Sequence, residues 1–221
     1  MTIQEYFGDW SKVVDLTEAD RILRKLSASN HVICPQLKDI FKAFTLCPLN
    51  DLRVIILAQD PYPQKGVATG LAFANSPDTR ELSPSLEILK ESVINYTIPH
   101  RTINFDQSLE KWEAQGVLLL NSALSCELGR VGSHTLLWRP FMKSLLTNLS
   151  KYRTGIVYLL MGTQAQTLEP YINRQFNYVV RIRHPSWYAR QKQRMSSDIW
   201  QEINSILIGQ NGYGIEWFTE Y

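Results

Sequence analysis

The sequence predicts an α/β fold: a single domain over residues 1–221 with a central four-stranded parallel sheet flanked by helices. Three observations predict it. Four short apolar runs, Arg53–Leu57 (RVIIL), Val117–Leu120 (VLLL), Ile156–Met161 (IVYLLM) and Tyr178–Ile182 (YVVRI), have the length and composition of strands buried on both faces. Segments with helical spacing of apolar residues lie between these runs, and such alternation implies a parallel sheet with right-handed crossovers. The chain has 221 residues, 44% of them apolar and 20% charged, which suits one sizeable core without covalent staples.

The elements follow in order. Two helices precede the first strand, around Glu18–Leu26 and Pro35–Phe44. After that strand, Ser83-Pro84 supplies an N-cap and a first-turn proline for a helix over Ser85–Ile94. The polar stretch Tyr96–Asp106 reads as a loop. Ser133 is placed to cap the helix after the second strand, where Trp138, Phe141, Met142, Leu145, Leu146 and Leu149 share one face. Thr163 is placed to cap a helix through Leu168 and Ile172, and a last helix covers Ser197–Leu207. The tail after Gly209 starts loop-like and ends aromatic, so it should pack on the body. No internal repeat or linker is visible.

Composition excludes several classes. Gly and Pro together number 11 + 10 = 21, too few for a collagen-like or low-complexity chain. The net charge is 23 − 21 = +2, too small to mark a disordered chain or to establish a polyanion partner by itself. Cys34, Cys47 and Cys126 form no Cys-x-x-Cys pair, which excludes a zinc ribbon or four-cysteine iron–sulfur site and suggests reduced, buried thiols. The start of the chain carries Glu5 and Asp9 and no basic-then-apolar signal, and no apolar run approaches a bilayer span. These features predict a cytoplasmic protein with no membrane partner; a nuclear compartment stays open.

In open α/β sheets ligands bind beyond the carboxyl ends of the strands. There the sequence places Gln59-Asp60-Pro61-Tyr62-Pro63, then Asn121, then Gly162-Thr163-Gln164, then Arg183-His184-Pro185-Ser186. A carboxylate, an amide, a helix start and an imidazole on one rim could serve as base, reader and electrophilic donor. Each also has a plainer reading: an Asx-turn at Asp60, a structural amide at Asn121, a tight turn and cap at Gly162-Thr163, a turn histidine at His184. Between Arg181 and Arg194 lie five basic residues and no acidic one, with Trp187 and Tyr188 embedded. That is either a solvated loop around a core tryptophan or a phosphate-backbone contact with stacking.

Taken together, these residues resemble the family 1 uracil-DNA glycosylases. Ala58-Gln59-Asp60-Pro61-Tyr62-Pro63 is similar to the family's water-activating Gly-Gln-Asp-Pro-Tyr-His, and Gly70-Leu71-Ala72-Phe73 to its uracil-stacking segment. Ser83-Pro84-Ser85-Leu86 resembles the phosphate-pinching loop, and Gly116–Asn121 the strand that ends in the uracil-reading asparagine. Ser133-His134 with Trp138 and Phe141 resembles the following helix, Gly162-Thr163 the Gly-Ser loop, and His184-Pro185-Ser186 the start of the DNA-intercalation loop. The likeness runs in order from about Leu37 to Gln201.

The resemblance implies an enzyme that hydrolyses the N-glycosidic bond of uracil in single- or double-stranded DNA after flipping the nucleotide into a pocket. Asp60 would activate the water, and His184, as neutral imidazole, would support uracil O2. Phe73 would stack on the base, Tyr62 would exclude a C5 methyl group, and Gln59 would contribute its backbone and the water site. Asn121 would donate to O4 and accept from N3–H, the reverse of what cytosine offers. Ser85, Thr163 and Ser186 would hold phosphates, with Arg183 and Arg190 adding positive charge. No metal or cofactor is implied. The expected state is a monomer, and a proteinaceous inhibitor of the family is a possible partner.

The sequence departs from the family pattern at Ala58, Pro63 and Ser83, and at Trp187-Tyr188 where Pro-Leu is usual. The leucine's wedge role would pass to an aromatic, Tyr188 by position or Trp187 as its rival. Competing readings are a catalytically weak, DNA-binding accessory, an aspartate phosphatase built on Asp60, and a bare binding module. A phosphatase needs a second acid near Asp60 to hold magnesium, and Pro61-Tyr62-Pro63 offers none.

Overall fold

The computed structural model describes residues 2–95 and 103–220. Strands β1–β8 are Ile33–Cys34, Val54–Ala58, Ile103–Asn104, Val117–Asn121, Cys126–Glu127, Val157–Met161, Tyr178–Ile182 and Thr219–Glu220. Helices α1–α9 are Ile3–Phe7, Leu16–Ser27, Lys42–Leu46, Pro84–Asn95, Glu110–Glu113, Thr135–Tyr152, Thr163–Gln166, Pro185–Gln191 and Asp198–Asn211.

The four predicted strands are β2, β4, β6 and β7, and they form one parallel sheet in the order β4-β2-β6-β7. Every residue of β2, β4 and β6 is buried, which is why their sequences are apolar almost throughout, with Asn121 at the end of β4 the polar exception. The edge strand β7 is exposed at Tyr178 and Arg181 and reads accordingly as mixed. The chain leaves β2 toward β4 on one side and leaves β6 toward β7 on the other. The neighbours β2 and β6 therefore flank a switch point, where a crevice opens at the carboxyl ends.

The helices largely follow the sequence pattern. Asp15 caps α2 by accepting from the Glu18 amide at 3.0 Å, and Pro84 opens α4 as its geometry favours. The tail packs as expected: Ile215 and Trp217 are buried, and the Asn204 side chain exchanges two hydrogen bonds with the Ile215 backbone, at 2.8 and 2.9 Å. The predicted Tyr96–Asp106 loop lies outside the described residues at 96–102, and its Ile103–Asn104 is not loop but the short strand β3, paired antiparallel with β8.

Four further expectations are corrected. The helix placed at Pro35–Phe44 is a 3-10 turn at Leu37–Asp39 followed by α3, a break that buries both Ile40 and Phe41. Ser133 does not cap α6; its hydroxyl accepts from the Glu127 amide at 2.8 Å instead, and His134 holds the cap position. Thr163 is the first residue of α7, not its cap. That helix stops at Gln166 and gives way to a 3-10 turn at Glu169–Tyr171, where Pro170 has no amide hydrogen to donate. The stretch after His184 is the helix α8, not a loop.

Candidate active site

The carboxyl ends of β2, β4 and β7 bring Asp60, Asn121 and His184 to one small recess. Tyr62, Phe73 and Ser85 complete its wall. Larger clefts lie beside Cys34 and Lys65 and beside Arg53 and Arg153. Neither gathers a carboxylate, an amide, an imidazole and aromatic rings as this recess does.

The loop after β2 is tied to the loop after β4. The Gln59 carbonyl accepts from Ser122 Oγ at 2.7 Å and from the Ala123 amide at 3.0 Å, and Ala58 O accepts from the Ser122 amide at 3.0 Å. These bonds place Asp60 beside Asn121. Ala58, standing where the resembling pattern has glycine, is the last residue of β2 and has no positive φ, so its methyl group is accommodated.

Asp60 Oδ2 accepts from the Gly132 amide at 2.7 Å, while Oδ1 is buried and has no protein partner. Burial raises the pKa of the carboxyl above its ordinary value, and the hydrogen bonds from Gly132 and Gln59 offset only part of that rise. The sequence offered no signal for Gly132, which meets Asp60 from 72 residues away.

His184 caps α8 with its own ring: Nδ1 accepts from the Ser186 amide at 3.2 Å and lies 2.9 Å from Ser186 Oγ. An amide can only donate, so Nδ1 carries the lone pair and the ring proton sits on Nε2. Burial, with Arg190 nearby, pushes the pKa of His184 down to about 4. The imidazole is therefore neutral at neutral pH and is a donor through Nε2. Gly162, at φ +90°, makes room for it: a Cβ there would lie 2.8 Å from His184 Cβ.

Asn121 ends β4 only 4% exposed, and its side-chain amide makes no hydrogen bond to a described residue. Its amide atoms are not sealed from solvent, so they open into the recess, where water or a ligand can bond them. Phe73 sits at φ +67°, a region that costs a bulky residue about 1–3 kcal/mol and recurs at functional sites. Two bonds hold it there: Tyr62 donates to Phe73 O at 2.9 Å, and the Ala72 amide donates to Leu119 O at 3.1 Å. The Phe73 ring lies 5.4 Å from that of His184, centroid to centroid.

The other predicted residues line the rim rather than the recess. Thr163 is exposed at the start of α7. On α8, Arg190 donates to Ser186 Oγ at 3.1 Å and Arg183 lies over the Trp187 ring at 4.0 Å. Tyr188 packs against the core, and Trp187, half-buried like it, meets the Tyr188 ring edge-on, with centroids 5.1 Å apart. Arg181 is not part of a free basic stripe, because Glu169 pairs with it. That carboxylate lies 12 residues earlier in the chain, outside the basic stretch.

An open parallel sheet whose carboxyl edge holds a carboxylate, an unpaired amide, a strained aromatic and a neutral imidazole defines an α/β enzyme suited to one planar, polar ring. The Uracil DNA glycosylase superfamily pattern matches residues 44–208. The uracil-DNA glycosylase of Vibrio campbellii is 32% identical over 218 residues, covering 97% of this chain and 90% of that protein. That of Buchnera aphidicola subsp. Acyrthosiphon pisum is 36% identical over 189 residues, 85% of this chain and 84% of the relative. The chain belongs to the uracil DNA glycosylase superfamily. Solved structures agree on the fold: mimivirus uracil-DNA glycosylase superposes with a TM-score of 0.75 at 20% identity, covering 97% of this chain and 92% of that one. A mimivirus UNG variant in complex with UGI gives 0.80 at 22% identity, covering 98% and 88%.

Proposed function

We propose that the protein hydrolyses the N-glycosidic bond of uracil in DNA, releasing free uracil and leaving an abasic site. One observation carries the residue assignment: an unpartnered carboxylate oxygen on Asp60, an unpaired amide on Asn121 and a donor Nε2 on His184 border the same recess. Asp60 Oδ1 accepts a hydrogen bond from water and directs its lone pair at the sugar carbon, while the negative charge favours the cationic sugar of the transition state. His184 Nε2–H donates to uracil O2 as the base leaves with the bonding electrons. Asn121 reads O4 and N3–H, Phe73 stacks on the ring, and Tyr62 blocks a methyl group at C5. The Gln59 carbonyl ties the two loops and so sets where Asp60 stands.

DNA is proposed to lie across the rim, with phosphates at Ser85, Thr163 and Ser186 and charge from Arg183 and Arg190. Trp187 is the better candidate for the wedge, since Tyr188 is engaged by the core. The protein is proposed to act as a monomer in the cytoplasm. A protein inhibitor docking over the same rim is proposed as a second partner. Among the described residues no helix is long and apolar enough to cross a membrane.

Release of free uracil from oligonucleotides carrying U·G, U·A or single-stranded U, measured in EDTA, tests the reading. Release from all three is expected, and DNA binding without release would indicate an accessory protein instead. In the same assay Trp187→Ala should slow duplex cutting about 10-fold, the loss of one stacked aromatic, with less effect on single strands. A larger duplex effect from Tyr188→Ala would reverse the wedge assignment.

The pH dependence has a definite sign. Asp60 acts ionised, and burial has raised its pKa, so excision falls as pH drops through that raised value. His184 acts neutral and gains charge only near pH 4 and below, so it adds no loss around 6.5, where an ordinary histidine titrates. A rate–pH profile of uracil release checks this. A limb near 6.5 that vanishes in His184→Gln would contradict it.

A further inference from the structure

Glu113, the last residue of α5, is wholly enclosed. It makes no ion pair among the described residues. Burial holds its carboxyl well above the ordinary range, with Glu110 adding to the rise and the Leu119 amide and Lys42 opposing it. A buried acid is a costly choice at a place an apolar side chain could fill, so its contacts are informative. Oε1 accepts from the Leu119 amide at 2.8 Å, and Oε2 is buried with no partner.

Leu119 lies on β4, the edge strand of the sheet, so its backbone groups facing outward have no neighbouring strand. Glu113 takes the amide on that edge, and the Ala72 amide takes the carbonyl of the same residue at 3.1 Å. Ala72 immediately precedes Phe73. Leu119 stands two residues before Asn121, on the same face of the strand. One residue of β4 therefore links the ring that stacks and the amide that reads.

We infer that Glu113 is a positioning residue for base selection, setting through the Leu119 backbone the spacing between the Asn121 amide and the Phe73 ring. This rests on the recess being the uracil site. Glu113→Met fills the volume and removes both oxygens; Glu113→Gln keeps an acceptor for the Leu119 amide. Glu113→Met should lower the single-turnover rate and weaken inhibition by free uracil by about 10-fold or more, the scale of a sub-ångström to 1 Å misplacement. Binding of abasic-site duplex, which leaves the recess without a base, should be unchanged, and Glu113→Gln should restore both losses. A folded Glu113→Met variant with parental rate and uracil inhibition overturns the inference. So does an equal loss on uracil and on abasic-site DNA, which would mark a merely structural residue. If Glu113→Met does not fold, hydrogen exchange on the parent decides: saturating free uracil should slow exchange of the Leu119 amide by linkage, and no slowing overturns the inference. A parent chain that releases no uracil would instead overturn the functional reading itself.

Discussion

Asp60→Asn is expected to lower uracil excision by about 10²–10⁴-fold, the range for loss of a positioned general base, without lowering thermal stability. The carboxylate is the group whose oxygen Oδ1 is enclosed with no protein partner, the position from which a water can be polarised. Asparagine keeps an acceptor for the Gly132 amide, so the 2.7 Å bond that orients the side chain survives. What is lost is the charge. Because folding raises the pKa of Asp60, its ionised form opposes folding at neutral pH, and that opposition is relieved as pH falls through the raised value. A neutral amide removes it at all pH values. Single-turnover uracil release and a melting curve on the same preparation check both halves. Activity retained within a few-fold would remove Asp60 from the chemistry, and a lower melting temperature would show that the carboxylate is structural.

Asn121→Leu should be nearly as severe. The amide supplies two hydrogen bonds to uracil in the proposed complex, each worth about 1–3 kcal/mol when its loss leaves a buried partner unpaired. At about 2 kcal/mol each, the pair amounts to roughly a thousand-fold in rate. The free protein should not suffer, because the amide is 4% exposed and bonded to no described residue. Leucine has similar size and no unpaired polar atoms, so the melting temperature should be equal or higher. Excision of uracil compared with cytosine in matched oligonucleotides measures the loss of selectivity. An unchanged preference for uracil would place base reading elsewhere in the recess.

The two substitutions share a logic. Asp60 is kept in a state that costs the folded protein something, an enclosed charge, and the Asn121 amide is left without a protein partner at the mouth of the recess. Phe73 adds backbone strain at φ +67°, and Tyr62 and the Ala72 amide hold that conformation in place. Such tensions mark a site prepared for a ligand rather than for its own stability.

Most of the sheet was legible in the chain. A run such as Val117–Leu120 announces a buried strand because hydrophobic length is a local property, and the residue after such a run lands at the sheet's carboxyl edge whatever surrounds it. Asp60, Asn121 and His184 could be located in that way before any contact was known. Helix starts were less legible. Ser133 and Thr163 have the chemistry of caps, yet the Ser133 hydroxyl is taken by the Glu127 amide and α7 begins after a glycine at positive φ. Arg181 looked free in a basic stretch because Glu169, its partner, lies 12 residues earlier.

The amino-acid sequence by itself determined the strand content, the family resemblance and the residues that gather at one rim. Only the tertiary structure decided their chemical states: the proton on His184 Nε2, the raised pKa of Asp60, the packing of Tyr188 against the core, and the enclosure of Glu113 against Leu119. Apolar periodicity is written in neighbouring residues. Desolvation and hydrogen bonding are set by groups such as Gly132 and Asp60, which are distant along the chain and meet only when it folds.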